Sequence, residues 1–114
     1  MRPDELYLRD LLAAAESITR FLRDVEERDF LQDELLQSAV LQKLTVIGEA
    51  ATRVSDDLRS GHPEIEWRTI VGLRNVVVHE YFAVSWSTIF ATATRDVPEL
   101  GIRIRAILDL LGES

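Results

Sequence analysis

The 114-residue chain has no cysteine and only two histidines. The absence of cysteine excludes a disulfide framework, a Cys-ligated zinc site, an iron–sulfur cluster and a thiol nucleophile. Two histidines are too few for a multi-histidine metal site within one chain, so no metal or cofactor is expected. Three prolines and five glycines are the only strong breakers, which leaves long periodic segments. No apolar run approaches the ~20 residues of a membrane span. Met1-Arg2-Pro3-Asp4-Glu5 leads into a charged amphipathic stretch and not into a signal peptide. A soluble, cytoplasmic protein without membrane contact is expected, and the length suits a single domain over residues 1–114.

Positive charge is also scarce: 13 Lys and Arg stand against 20 Asp and Glu, for a net charge of −7. That excludes a wholly basic nucleic-acid-binding surface but leaves room for a local patch. Acidic residues concentrate in the first half, where they suit docking of a basic partner surface. The stretch 67–95 differs, with Arg68, Arg74 and Arg95 against Glu80 alone.

What remains is helical periodicity. From Asp4, read as an N-cap, to about Arg28, a stripe of Leu8, Leu11, Leu12, Ala15, Ile18, Leu22 and Val25 recurs at helical spacing. Tyr7 and Phe21 widen it, which predicts burial against more than one neighbour, with a second subunit among the candidates. A second helix is predicted from about Asp33 to Leu58, with Gly48 in its middle at a cost of about 1 kcal/mol relative to Ala. The gain expected from Gly48 is close approach of another helix. Ser60-Gly61-His62-Pro63 reads as a turn, with His62 structural, before a third helix from about Ile65 to His79. The fourth starts at the N-cap Ser85 and runs to about Leu111, kinked or broken near Pro98. No segment alternates with period two. The sequence predicts an all-α, antiparallel up-down bundle of four main helices.

The chemically informative stretch is 67–82. On a helix, Trp67, Ile70, Val71, Val77 and Val78 form an apolar stripe, and Arg74 falls in its middle. A guanidinium facing the core must be paired or open to a ligand, and Glu49 on the second helix is a candidate partner. A neighbouring face carries Arg68, Gly72, Asn75 and His79, and Tyr81 lies two turns beyond Arg74 on its line. A histidine can move a proton near neutral pH. An arginine can hold a phosphate and stabilise charge on pentacoordinate phosphorus. Asn75 can donate to a phosphate oxygen or fix the His tautomer. These groups suit metal-free cleavage of RNA, in which the 2′-hydroxyl attacks phosphorus and leaves a 2′,3′-cyclic phosphate. The reaction wants a base and an acid, and one chain offers one suitable histidine, so a two-fold homodimer with the site on its axis is implied.

Arg74-Asn75-x-x-x-His79-x-Tyr81 resembles the R-N-x-x-x-H-x-Y signature of HepT-like toxins in the HEPN superfamily. Val46-Ile47-Gly48-Glu49-Ala50-Ala51 and His62-Pro63-Glu64-Ile65-x-Trp67-Arg68 are similar to the same family. Glu66 departs from it, where relatives often have proline, as does Ser85, where an acidic N-cap is common. The resemblance implies a dimeric helical ribonuclease with Arg74 and His79 catalytic, Asn75 supporting them and Arg68 available to contact RNA. It also implies an MntA-like nucleotidyltransferase antitoxin that transfers AMP from ATP to Tyr81, placing bulk and negative charge beside the site. Two other readings stay open: a non-catalytic nucleotide- or substrate-binding companion of a nucleotidyltransferase, and a structural dimerisation bundle in which Arg74 is a core ion pair.

Overall fold

A computed structural model describes residues 2–79 and 85–113, and only the backbone of 76–79 and 113. Four long helices carry the architecture: α1 (Asp4–Phe21), α3 (Glu34–Arg53), α5 (Trp67–His79) and α7 (Val97–Glu113). Three short ones join them: α2 (Glu27–Phe30), α4 (Asp56–Gly61) and α6 (Trp86–Ala91). No strand occurs among the described residues, and none of their helices is long and apolar enough to cross a membrane. The all-α bundle is therefore the observed fold.

The core follows the periodic stripes. Leu8, Leu11, Leu12, Ala15 and Ile18 of α1 are buried against Val40, Leu44, Ile47 and Ala51 of α3 and Val97, Leu100, Ile104 and Ile107 of α7. α1 packs on both α3 and α7, and α3 on both α1 and α5. These neighbours bury the line from Leu8 to Ile18, while Tyr7 and Phe21 beside it stay partly exposed. α5 leans mainly on α3.

Several boundaries differ from the sequence reading. Helix α1 stops at Phe21, and the chain turns through Asp24, whose φ of 61° lies in the left-handed region. The following α2 turns Phe30 inward, fully buried against Trp86 and Phe90 at centroid distances of 6.1 and 5.3 Å. The buried Gln37 side chain donates to the Phe30 carbonyl at 2.9 Å, so no polar group is stranded there. Pro3, not Asp4, occupies the N-cap of α1. The Asp4 carboxylate instead accepts from the Ser55 N–H at 2.9 Å and its hydroxyl at 2.6 Å. This clasp joins the start of α1 to the end of α3, so the two run antiparallel.

The second predicted helix is two. Val54 is extended (ψ 139°) and Ser55 caps α4 by accepting from Leu58 N–H. The cap Ser85 falls where expected, accepting from Thr88 N–H, and Asp33, the expected start of the second helix, caps α3 by accepting from Leu36 N–H. The proline break takes a definite form. Residues Thr92–Asp96 make a π-helical turn that leads from α6 into α7. Pro98 has no N–H to give and its ring crowds the carbonyl of Thr94, one helical turn back. The wider turn accommodates both. Leu111 is exposed, so the buried stripe of α7 ends at Ile107.

Candidate active site

The α3–α5 crossing positions the site. A Cβ at Gly48 would lie 2.6 Å from the backbone nitrogen and 3.2 Å from the Cα of Arg74, closer than real Cβ atoms come to a backbone. Only glycine lets α5 approach this near, and the element brought into contact is the arginine's own backbone. Ahead of it, Trp67 is buried and its indole N–H donates to the His62 carbonyl at 3.0 Å. The His62 ring lies 3.1 Å from Glu64, so His62 shapes the turn that starts α5.

Arg74 is anchored at its backbone but not buried at its charged end. Its side chain is 40% exposed and reaches Glu49, itself 51% exposed, at 3.9 Å. The pairing with Glu49 is present, but the core location is corrected: the backbone and Cβ of Arg74 sit at the α3 crossing, while the long side chain carries its charge outward to Glu49. A pair this open and this long contributes at most about 1 kcal/mol. The guanidinium is therefore available to an anion.

Arg68 and Asn75 are exposed, and a Cβ at Gly72 would meet nothing within 4 Å. The predicted face of Arg68, Gly72 and Asn75 is thus open. Arg68 has no side-chain partner among the described residues. His79 is the last residue of α5, one helical turn beyond Asn75, and its side chain lies outside the description. Glu80 and Tyr81 fall outside the described residues altogether. Among the described residues no group of acidic or histidine side chains could hold a metal ion. Sequence reasoning missed Tyr7 and Arg2: the Arg2 guanidinium sits 4.7 Å from the centroid of the Tyr7 ring, held by Asp10 at 2.8 Å.

Comparison with known proteins places the chain in a family. The family model described as Ribonuclease HepT-like matches residues 11–107. A protein of Thermococcus cleftensis named as a probable ribonuclease HepT is 38% identical over 82% of this chain and 86% of its own. Two Methanocaldococcus jannaschii proteins named as candidate RNases are each 30% identical. They align over 87% and 98% of this chain, and over 91% and 97% of their own lengths. No solved structure matches significantly. With an open, backbone-anchored arginine five residues before a histidine on one helix, and a family match over most of its length, the chain belongs to the HepT-like ribonuclease family.

Proposed function

We propose that the chain is a metal-independent endoribonuclease toxin of a HEPN/nucleotidyltransferase toxin–antitoxin pair. The observation that carries the reading is Arg74: α5 is brought to α3 by Gly48, yet the guanidinium stays at the surface with, among the described residues, one loose acidic partner. A cation kept so, with little structural return, suits a phosphate ligand.

In the proposed reaction His79 takes the proton of the RNA 2′-hydroxyl, whose oxygen attacks the adjacent phosphorus. Arg74 stabilises the charge on the phosphorane oxygens, assisted by Asn75. The 5′-oxygen departs with a proton, leaving a 2′,3′-cyclic phosphate and a 5′-hydroxyl. In a homodimer the second His79 serves as the acid, and Arg68 adds a contact to the RNA backbone. Neutralisation by an MntA-like antitoxin transfers AMP from ATP to the Tyr81 hydroxyl, with release of pyrophosphate. The added phosphate then repels the substrate's.

The test incubates purified, antitoxin-free protein with RNA in EDTA. Cleavage with cyclic-phosphate ends that is lost in folded His79→Ala and Arg74→Ala variants supports the reading, and variants that cleave normally refute it. The net charge of −7 favours one rival, a nucleotide-binding companion without nuclease activity. Nucleotide binding without cleavage, by protein whose intact mass shows Tyr81 unmodified, would establish that rival.

A further inference from the structure

A groove of about 730 Å³ runs along the surface between α1 and α3, on the flank of α3 that carries Glu49. We infer that it binds the single-stranded RNA flanking the scissile phosphate, with a base stacked on Arg2 and phosphates held by Lys43 and Arg53. This deepens the ribonuclease reading above and rests on it.

Three observations carry it. The groove's charge opposes the molecule's. Its charged lining is Arg2, Lys43 and Arg53 against Asp10 and Glu49, a net positive wall on a chain of net charge −7. Asp10 is paired with Arg2 at 2.8 Å, and Glu49 meets Arg74 loosely at 3.9 Å. Lys43 and Arg53 have no side-chain partner among the described residues. Two unpaired cations in one groove suit a polyanion.

The second observation is the stack at one end. Arg2 lies over the Tyr7 ring, and Asp10 fixes its guanidinium. Arginine planes and aromatic rings are the platforms on which unpaired bases stack without regard to sequence. Here the plane is pre-ordered by ring and carboxylate together.

The third is continuity with the chemistry. Glu49 lines the groove and is also the residue that meets Arg74. A strand in the groove therefore passes beside the candidate catalytic arginine. From Lys43 to Arg53 the helix rises by about 15 Å, the span of a few nucleotides.

The experiment measures binding of a 2′-O-methyl RNA oligonucleotide, which lacks the nucleophile, by fluorescence anisotropy across a salt series. Lys43→Gln/Arg53→Gln should lower the salt slope by about 1.4, at about 0.7 per lost phosphate contact on a single strand. Arg2→Ala should weaken binding about tenfold with the slope reduced less, as loss of a stacked base would. Circular dichroism checks that each variant folds, and sedimentation checks its assembly. Wild-type affinity and slope in all variants would overturn the proposal. Unchanged binding with a shift from dimer to monomer would also overturn it, and would make the groove a face between copies. Failure of the catalytic reading is seen separately, as cleavage that persists in His79→Ala, because the uncleavable oligonucleotide requires no chemistry.

Discussion

The backbone nitrogen of Arg74 lies 2.6 Å from where a Cβ on Gly48 would sit, so the placement of the candidate catalytic helix depends on one missing methyl group. Gly48→Ala should gain about 1 kcal/mol of helix propensity and lose more through overpacking, which costs about 1–3 kcal/mol in tight sites. The contact is with backbone, so α5 itself must shift. Expected is a lower unfolding midpoint in urea together with weaker RNA cleavage. Gly72→Ala is the matched control. Its Cβ meets open space, and stability should rise by up to about 1 kcal/mol.

Arg74→Ala should leave stability nearly intact, within about 1 kcal/mol, because its pair with Glu49 is long and about half exposed. Cleavage should nevertheless fall to background. Denaturant unfolding and an RNase assay on the same preparation separate the two effects. A loss of several kcal/mol would restore the core-ion-pair reading, in which removing Arg74 strands a buried charge.

Ser55 serves two helices at once. It caps α4 and donates twice to Asp4 at the start of α1. Ser55→Ala removes the cap and the hydroxyl's bond to Asp4, and should cost about 1–2 kcal/mol, read as a fall in thermal midpoint. Asp4→Asn, which keeps an acceptor, should cost less.

These three sites also mark how far the sequence could be read. The close approach at Gly48 was legible because a mid-helix glycine is unfavourable unless something packs on it. The cap at Ser85 was legible from residue type and position, as was the start of α3 near Asp33. The break at Val54-Ser55 was not, because Val54 and Leu58 keep helical register across one extended residue and periodicity does not register it. The signal available was Ser55 followed by Asp56 and Asp57, a capping residue before an acidic first turn. Phe30 was missed because a four-residue helix is too short to show a period. The exposure of the Arg74 guanidinium could not be read from α5 alone, since a helix stripe places the Cβ and not the end of a long side chain. The Arg2–Tyr7–Asp10 stack and the α1–α3 groove needed the antiparallel pairing of two helices to exist at all.

Acid should loosen the turn that starts α5. The Glu64 carboxyl is held below the usual carboxylate range, chiefly by a hydrogen bond from its own backbone N–H and further by His62 and Arg103. Desolvation opposes this, by more than either neighbouring side chain contributes, and the direction stays downward. A lowered folded-state pKa means the carboxylate stabilises the fold above the unfolded value, and the gain is lost as pH falls through the folded one. Glu64→Gln should therefore lower stability slightly at neutral pH and flatten the acid limb, so that the two profiles converge in acid. A variant profile as steep as wild type would contradict this.

Phe30 should be the costliest single truncation outside the long helices. It is fully buried and meets Trp86 and Phe90, so Phe30→Ala should cost about 3–5 kcal/mol, measured by urea unfolding.

The Asp4–Ser55 clasp bears on the order in which the molecule assembles. It closes within the first 55 residues, so α1 and α3 can pair with each other before α5 and α7, their later neighbours, are synthesised. Domains tend to fold from the N-terminal side as the chain emerges, and contacts between near elements form fastest. The nascent chain can thus hold a folded helical pair, with Gly48 already in place as a socket, while Arg74 and His79 are still to come. Cleavage competence is then acquired last, when α5 docks.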